Sequence, residues 1–133
     1  MSERGVIQNR DRKRQIVDFS NLKYGKITPT DIDGVIDFGN RLFVYFELKH
    51  GNAEVPYGQR LALERLVDSN ANSGIPACCL IARHYVNNTE EDVNAAITEV
   101  VEYRWEAEWH KPKEPILLFQ AIDKLRELVF NPL

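Results

Sequence analysis

Two short acidic stretches lie close together in the chain, Pro29-Thr30-Asp31-Ile32-Asp33 and Glu47-Leu48-Lys49. Burying one isolated carboxylate at the end of a sheet costs several kcal/mol, on the order of the penalty for an unpaired ion. Several carboxylates answered by one lysine are worse off, unless a cation joins them. The donor set is all oxygen, which suits a hard divalent ion. Asp33 and Glu47 are the natural ligands, and the backbone carbonyl of Leu48 a further one. A metal so held lowers the pKa of a bound water, and Lys49 is placed to orient that water or to neutralise charge on a phosphate.

These residues need two neighbouring strands to bring them together. The run from Ile27 to Phe38 reads as the first, with Pro29 near its start, where a missing N–H is tolerated. Gly39-Asn40 is a tight-turn dipeptide, and Leu42 to Lys49 is strongly β-prone, so the pair reads as a hairpin. Alternation then predicts Asp31 and Asp33 on one face with Ile32 opposite, and Glu47 and Lys49 together with Leu48 opposite. A loop follows from His50 to Tyr57. Gln59 to Asp68 has the 3.6-residue period of a helix, with Ser69 to Gly74 as its stop. Ile75 to Tyr85 is a buried strand, and a helix between two strands of one sheet predicts a parallel βαβ unit. Ala95 to Trp109 alternates Val101, Tyr103 and Trp105 against Glu102, Arg104 and Glu106, as an exposed-face strand would. Ile116 to Phe130 closes the chain as an amphipathic helix with Leu117, Leu118, Ala121, Leu125 and Leu128 inward.

Composition narrows the class. With 133 residues, 44% hydrophobic and 28% charged, the chain fits one soluble domain over residues 1–133. It holds no apolar run near the length of about 20 residues that a membrane span needs, so no membrane partner is expected. The stretch from Met1 to Arg14 is polar and lacks the apolar core of a secretion signal. Cys78 and Cys79 are adjacent in an apolar run, too close to pair and without metal-type spacing, which fits reduced core residues of a cytoplasmic protein. The net charge of −3 weighs against nucleic-acid binding by bulk electrostatics. A metal-dependent site, however, concentrates acid and recovers charge by taking up its ion. Arg10, Arg12, Lys13 and Arg14 form a local basic cluster, open to two readings: a solvated tail or helix face, or an arm contacting phosphate.

The segment Pro29 to Asp33 followed by Glu47-Leu48-Lys49 resembles the PD-(D/E)XK nuclease superfamily, also called restriction-endonuclease-like. The likeness spans roughly residues 26 to 86, and the stretch Thr28 to Gly34 is most similar to small phage- or prophage-borne members. It implies an α/β fold with an αβββαβ core, a mixed central sheet flanked by helices. It further implies a Mg2+-dependent endodeoxyribonuclease, with Mn2+ able to substitute, that hydrolyses DNA by metal-activated water in a bacterial or phage-infected host cytosol. Glu47 and Lys49 take the (D/E)xK positions. Asp33 is favoured as the preceding acid and metal ligand, with Asp31 the second choice or an outer-shell partner, and Gln59 matches the polar residue that the following helix turns to the site. The acid that some members add from a first helix has only Glu3, Asp11 and Asp18 as candidates, none well placed. So small a protein implies a homodimer, or a partner protein that supplies specificity. The competing reading is a catalytically inactive nuclease fold serving as a binding or inhibitor module.

Elsewhere the chemistry is thinner. His50, His84 and His110 lack partner spacing for a metal and read as structural or loop residues. Tyr45, Tyr103, Trp105 and Trp109 could stack on bases, but at strand spacing they fit a core or a dimer face better.

Overall fold

The computed structural model describes residues 5–131 and divides the chain into two compact units, Met1–Thr30 and Asp31–Leu133. In the first, α1 (Arg10–Arg14) is a single charged turn of helix with no buried residue. Gln15 caps its C-terminus, and Ile16 to Phe19 continue without regular structure. Tyr24 and Ile27 then form an isolated antiparallel bridge around Gly25 and Lys26. Gly25 takes the left-handed conformation that this two-residue loop demands.

The second unit is a mixed α/β layer structure. Its elements are β1 (Gly34–Asp37), β2 (Phe43–His50), α2 (Tyr57–Asn72), β3 (Ala77–His84), a 3-10 turn at Ala95–Ile97, β4 (Glu99–Trp105), β5 (Glu108–His110) and α3 (Leu118–Phe130). The strands lie in the order β1-β2-β3-β4-β5, and among the described residues β2 with β3 is the one parallel pair. The hairpin and the βαβ unit read from the sequence are therefore present. Where the resemblance implies three strands between the first two helices, the described residues carry two.

Strand alternation divides the core in two. Val44, Cys78, Leu80, Ala82 and Val100 pack beneath Leu118 and Ala121 of α3. Tyr45, Cys79 and Ile81 pack beneath Leu63 and Val67 of α2. Glu47 and Lys49 follow Tyr45 at intervals of two, so both rise on the α2 side. In α3 the buried stripe runs through Leu118, Ala121, Ile122, Leu125 and Val129, which leaves Leu128 57% exposed rather than inward as its apolar character suggests.

Two segments depart from the sequence pattern. The strand expected from Ile27 is only Gly34–Asp37. Residues 28–33 join no ladder, as befits a stretch containing Pro29, which has no N–H to give. The long strand expected over Ala95 to Trp109 is a 3-10 turn followed by a hairpin, because Glu106 and Ala107 both adopt positive φ (52° and 65°) and reverse the chain. A bulge also interrupts the β3–β4 register between Ile81 and Ala82. It moves Val101 to the α2 side, away from Tyr103 and Trp105. The face expected to be exposed is instead a charged seam against α2. Arg60 forks onto Glu102 at 2.8 and 2.7 Å, Arg104 onto Asp68 at 3.2 and 2.7 Å, and Trp109 donates to Glu64 at 2.6 Å.

Two substitutions test this account. A Cβ at Gly34 would collide with the Phe46 ring, so Gly34→Ala is expected to destabilise by about 1–3 kcal/mol in urea unfolding; an unchanged midpoint contradicts the close approach. Ala107→Gly relieves a left-handed alanine and should stabilise by about 1 kcal/mol, whereas a loss of stability would place the turn elsewhere.

Candidate metal centre

The site forms where β1 runs out beside the carboxyl end of β2. Gly34 pairs with Phe46 as the last rung of that ladder, so the next outward-facing amide of β2, that of Leu48, has no strand partner. Asp33 supplies one: its Oδ2 accepts from Leu48 N at 2.7 Å. A strand residue's N–H and C=O leave on the same edge, so the Leu48 carbonyl faces the side on which Asp33 sits.

Glu47 is the anomaly of the fold. It is 3% exposed. Lys49 Nζ lies 3.4 Å from Glu47 Oε1, while Oε2 is buried with no hydrogen-bond partner. Burial, and then the negative charge of Asp33, raise the Glu47 carboxyl above the ordinary glutamate range; Lys49 pulls the other way. The nearby Cys79 thiol is pushed up to about 12, chiefly by burial and next by Glu47. It stays a protonated core group and no nucleophile.

Gln59 enters from the first turn of α2. Its Nε2 donates to the Asp31 carbonyl at 2.7 Å, leaving Oε1 buried and without a partner. A carbonyl can only accept, so this bond fixes which end of the amide faces Asp31. The charged seam holds α2 against β4 and β5 and, with Leu63 and Val67 in the core, sets the helix rotation that turns Gln59 to this side. Asn70 adds a bond to Tyr45 Oη at 2.7 Å.

Asp33, Glu47, Lys49 and Gln59 are thus gathered around one end of the sheet. Asp31 is not gathered as expected. It is exposed and takes part through its backbone. The predicted alternation fails here because Asp31 to Asp33 are irregular; Ile32 packs into the α2-side core, the same side as Glu47. Of the upstream acids, Glu3 lies outside the described residues, and Asp11 and Asp18 are exposed. Among the described residues, no three His, Cys, Asp or Glu side chains are grouped to hold a metal. What remains is two carboxylates, a carbonyl edge and two unpartnered acceptor oxygens. All of these donors are oxygens, the ligand type of hard cations such as Mg2+, which binds through one or two carboxylates and retains water.

Sequence reasoning missed Arg83, which donates to the carbonyls of Gly51 and Ala53 and so pins the loop between β2 and α2. An arginine in an apolar strand was the available signal. Tyr45 is a core residue and Trp109 lies under the Arg60 guanidinium at 4.1 Å, so neither offers a free face to a base. His50 bonds to Asn87 at 2.8 Å and His84 Nδ1 accepts from Val86 N, as structural histidines do. A separate cleft of about 1000 Å³ opens beneath α3, lined by Leu80, Tyr103, Trp105 and Leu125 among others. It contains none of the candidate site residues.

No family model, curated protein or solved structure matches this chain.

Because folding holds the Glu47 carboxyl above its ordinary range, this group favours the fold at acid pH, and its contribution is lost as pH rises through the folded value. Glu47→Gln is expected to flatten that loss and to stabilise the metal-free protein at neutral pH. Urea unfolding of both proteins from acid to neutral pH measures it, and an identical pH slope contradicts the assignment.

Proposed function

We propose that the chain is a divalent-metal-dependent nuclease of the PD-(D/E)XK type that hydrolyses phosphodiester bonds in DNA. One observation carries the reading: the Glu47 carboxylate is buried with an oxygen left unpartnered, directly beside Lys49 and under the field of Asp33. A structural ion pair has no use for that arrangement, since an unsatisfied buried acceptor costs about 1–3 kcal/mol. A site for a cation does. The proposed core is the restriction-endonuclease-like one, reduced to the acid-bearing β1, the Glu-x-Lys strand β2, α2 and the parallel β3.

Mg2+ or Mn2+ bound there would supply Lewis acidity toward the phosphate and would lower the pKa of a bound water. The chain's own residues do the rest. Asp33 and Glu47 present oxygens from adjoining strand ends, and the Leu48 amide bond keeps Asp33 from swinging away. Lys49 shares a face with Glu47 and brings its ammonium to the rim, where it orients the attacking water or offsets phosphate charge. Gln59 fixes the Asp31 backbone and thereby the approach to Asp33. Cutting both strands of a duplex calls for two copies of the site, which favours a homodimer, or for a partner protein.

The absence of a three-carboxylate group among the described residues favours a second reading, a nuclease-like fold that binds without cutting. Plasmid cleavage in Mg2+ or Mn2+ separates the two. Asp33→Asn, Glu47→Gln and Lys49→Ala are each expected to lose activity by about 100-fold or more. Cleavage retained in the last two sinks the nuclease reading. Independently of turnover, Mn2+ at about 100 times its dissociation constant should stabilise the wild type by about 2.7 kcal/mol. Asp33→Asn should lose that gain.

A further inference from the structure

The charge of this chain is not evenly shared. The first unit, Met1–Thr30, carries seven Lys and Arg against three Asp and Glu, a net charge of +4, so the second carries −7 of the total −3. A domain of charge −7 repels a polyanion, and the proposed site adds to that repulsion with carboxylates of its own. Affinity for a nucleic-acid backbone must come from elsewhere on the chain.

We infer that the first unit is a phosphate-binding arm, which supplies the nucleic-acid affinity that the second unit lacks. This rests on the nuclease reading for the identity of the polyanion. Every described residue from 5 to 30 is exposed, so the described Lys and Arg of this unit buttress no core. They fall on two ordered elements. The helix α1 carries Arg10, Arg12, Lys13 and Arg14 with Asp11 as its lone acid. The Tyr24–Ile27 turn places Lys26 at its tip beside Gly25, with Lys23 just before it. Asp11 is spent on Arg14 at 3.3 Å. Tyr24, 69% exposed, stands between Lys23 and Lys26, an aromatic face among cations as stacking on a base requires. Helix α1 itself is not built to enter a lipid surface. The α1 sequence RDRKR puts charge on every side of the helix and leaves no apolar stripe to enter a bilayer.

The test is fluorescence anisotropy of a labelled DNA duplex with the full-length chain, metal-free in EDTA so that nothing is cut, across about 50 to 200 mM salt. One variant carries Arg10→Gln, Arg12→Gln, Lys13→Gln and Arg14→Gln. A charge-keeping control carries Arg10→Lys, Arg12→Lys, Lys13→Arg and Arg14→Lys. With no buried position touched, both should unfold with the wild type. The neutralised variant is expected to bind about tenfold or more weakly. Its slope of log affinity against log salt should flatten by about 0.9 for each phosphate that the arm ceases to neutralise, while the control binds like the wild type. Equal affinity and slope in the neutralised variant overturns the arm, as does an equal weakening in the control. Binding to phosphatidylserine vesicles without binding to the duplex overturns it in favour of a membrane role. A wild type that binds through the arm but never cuts in Mn2+ defeats the nuclease reading alone, whereas one that cuts while its binding ignores the arm defeats the arm alone.

Discussion

A carboxylate sealed inside an apolar sheet, with one of its oxygens unanswered, is the constraint around which the second unit is organised. Glu47 sits between the hydrophobic floor of Tyr45, Cys79 and Ile81 and a rim of Asp33, Lys49 and Gln59. A fold built for stability alone would place a neutral side chain there. Of its neighbours, Lys49 on the same face answers that charge, Asp33 just ahead of β1 opposes it, and the Gln59 amide is committed to the Asp31 carbonyl. Burial and the like charge of Asp33 both disfavour a negative charge in this socket.

What holds the socket open is less local. Residues 31–59 contain the whole constellation, but they would not hold its shape alone. Rotation of α2 is fixed by its charged seam with β4 and β5, where bidentate arginine pairs and the indole bond to Glu64 leave few alternative registers.

The central part of the fold was legible in the sequence because its signals are strong. Glycine and asparagine at positive φ make the β1–β2 turn, a 3.6-residue period marks α2, and an unbroken apolar run marks β3. Glu47 and Lys49 were legible for the simple reason that β2 is a true strand and alternation holds along it. Asp31 was misplaced because Pro29 and the residues after it form no ladder, and alternation means nothing outside one. The β4–β5 hairpin was hidden because Glu106-Ala107 is an unusual pair to take left-handed conformations. The bulge at Val101 was hidden because an extra residue in one strand leaves no mark on composition.

Arg83 gives the arrangement a temporal order. The residues of the socket all fall between 31 and 59, and a short nascent segment carries all of them. Yet the loop joining Lys49 to Gln59 is clasped by a guanidinium from β3, through the carbonyls of Gly51 and Ala53. During synthesis the pocket therefore has no fixed form until that later strand emerges and pairs with β2. Assembly of the site waits on the arrival of a residue that takes no part in its chemistry.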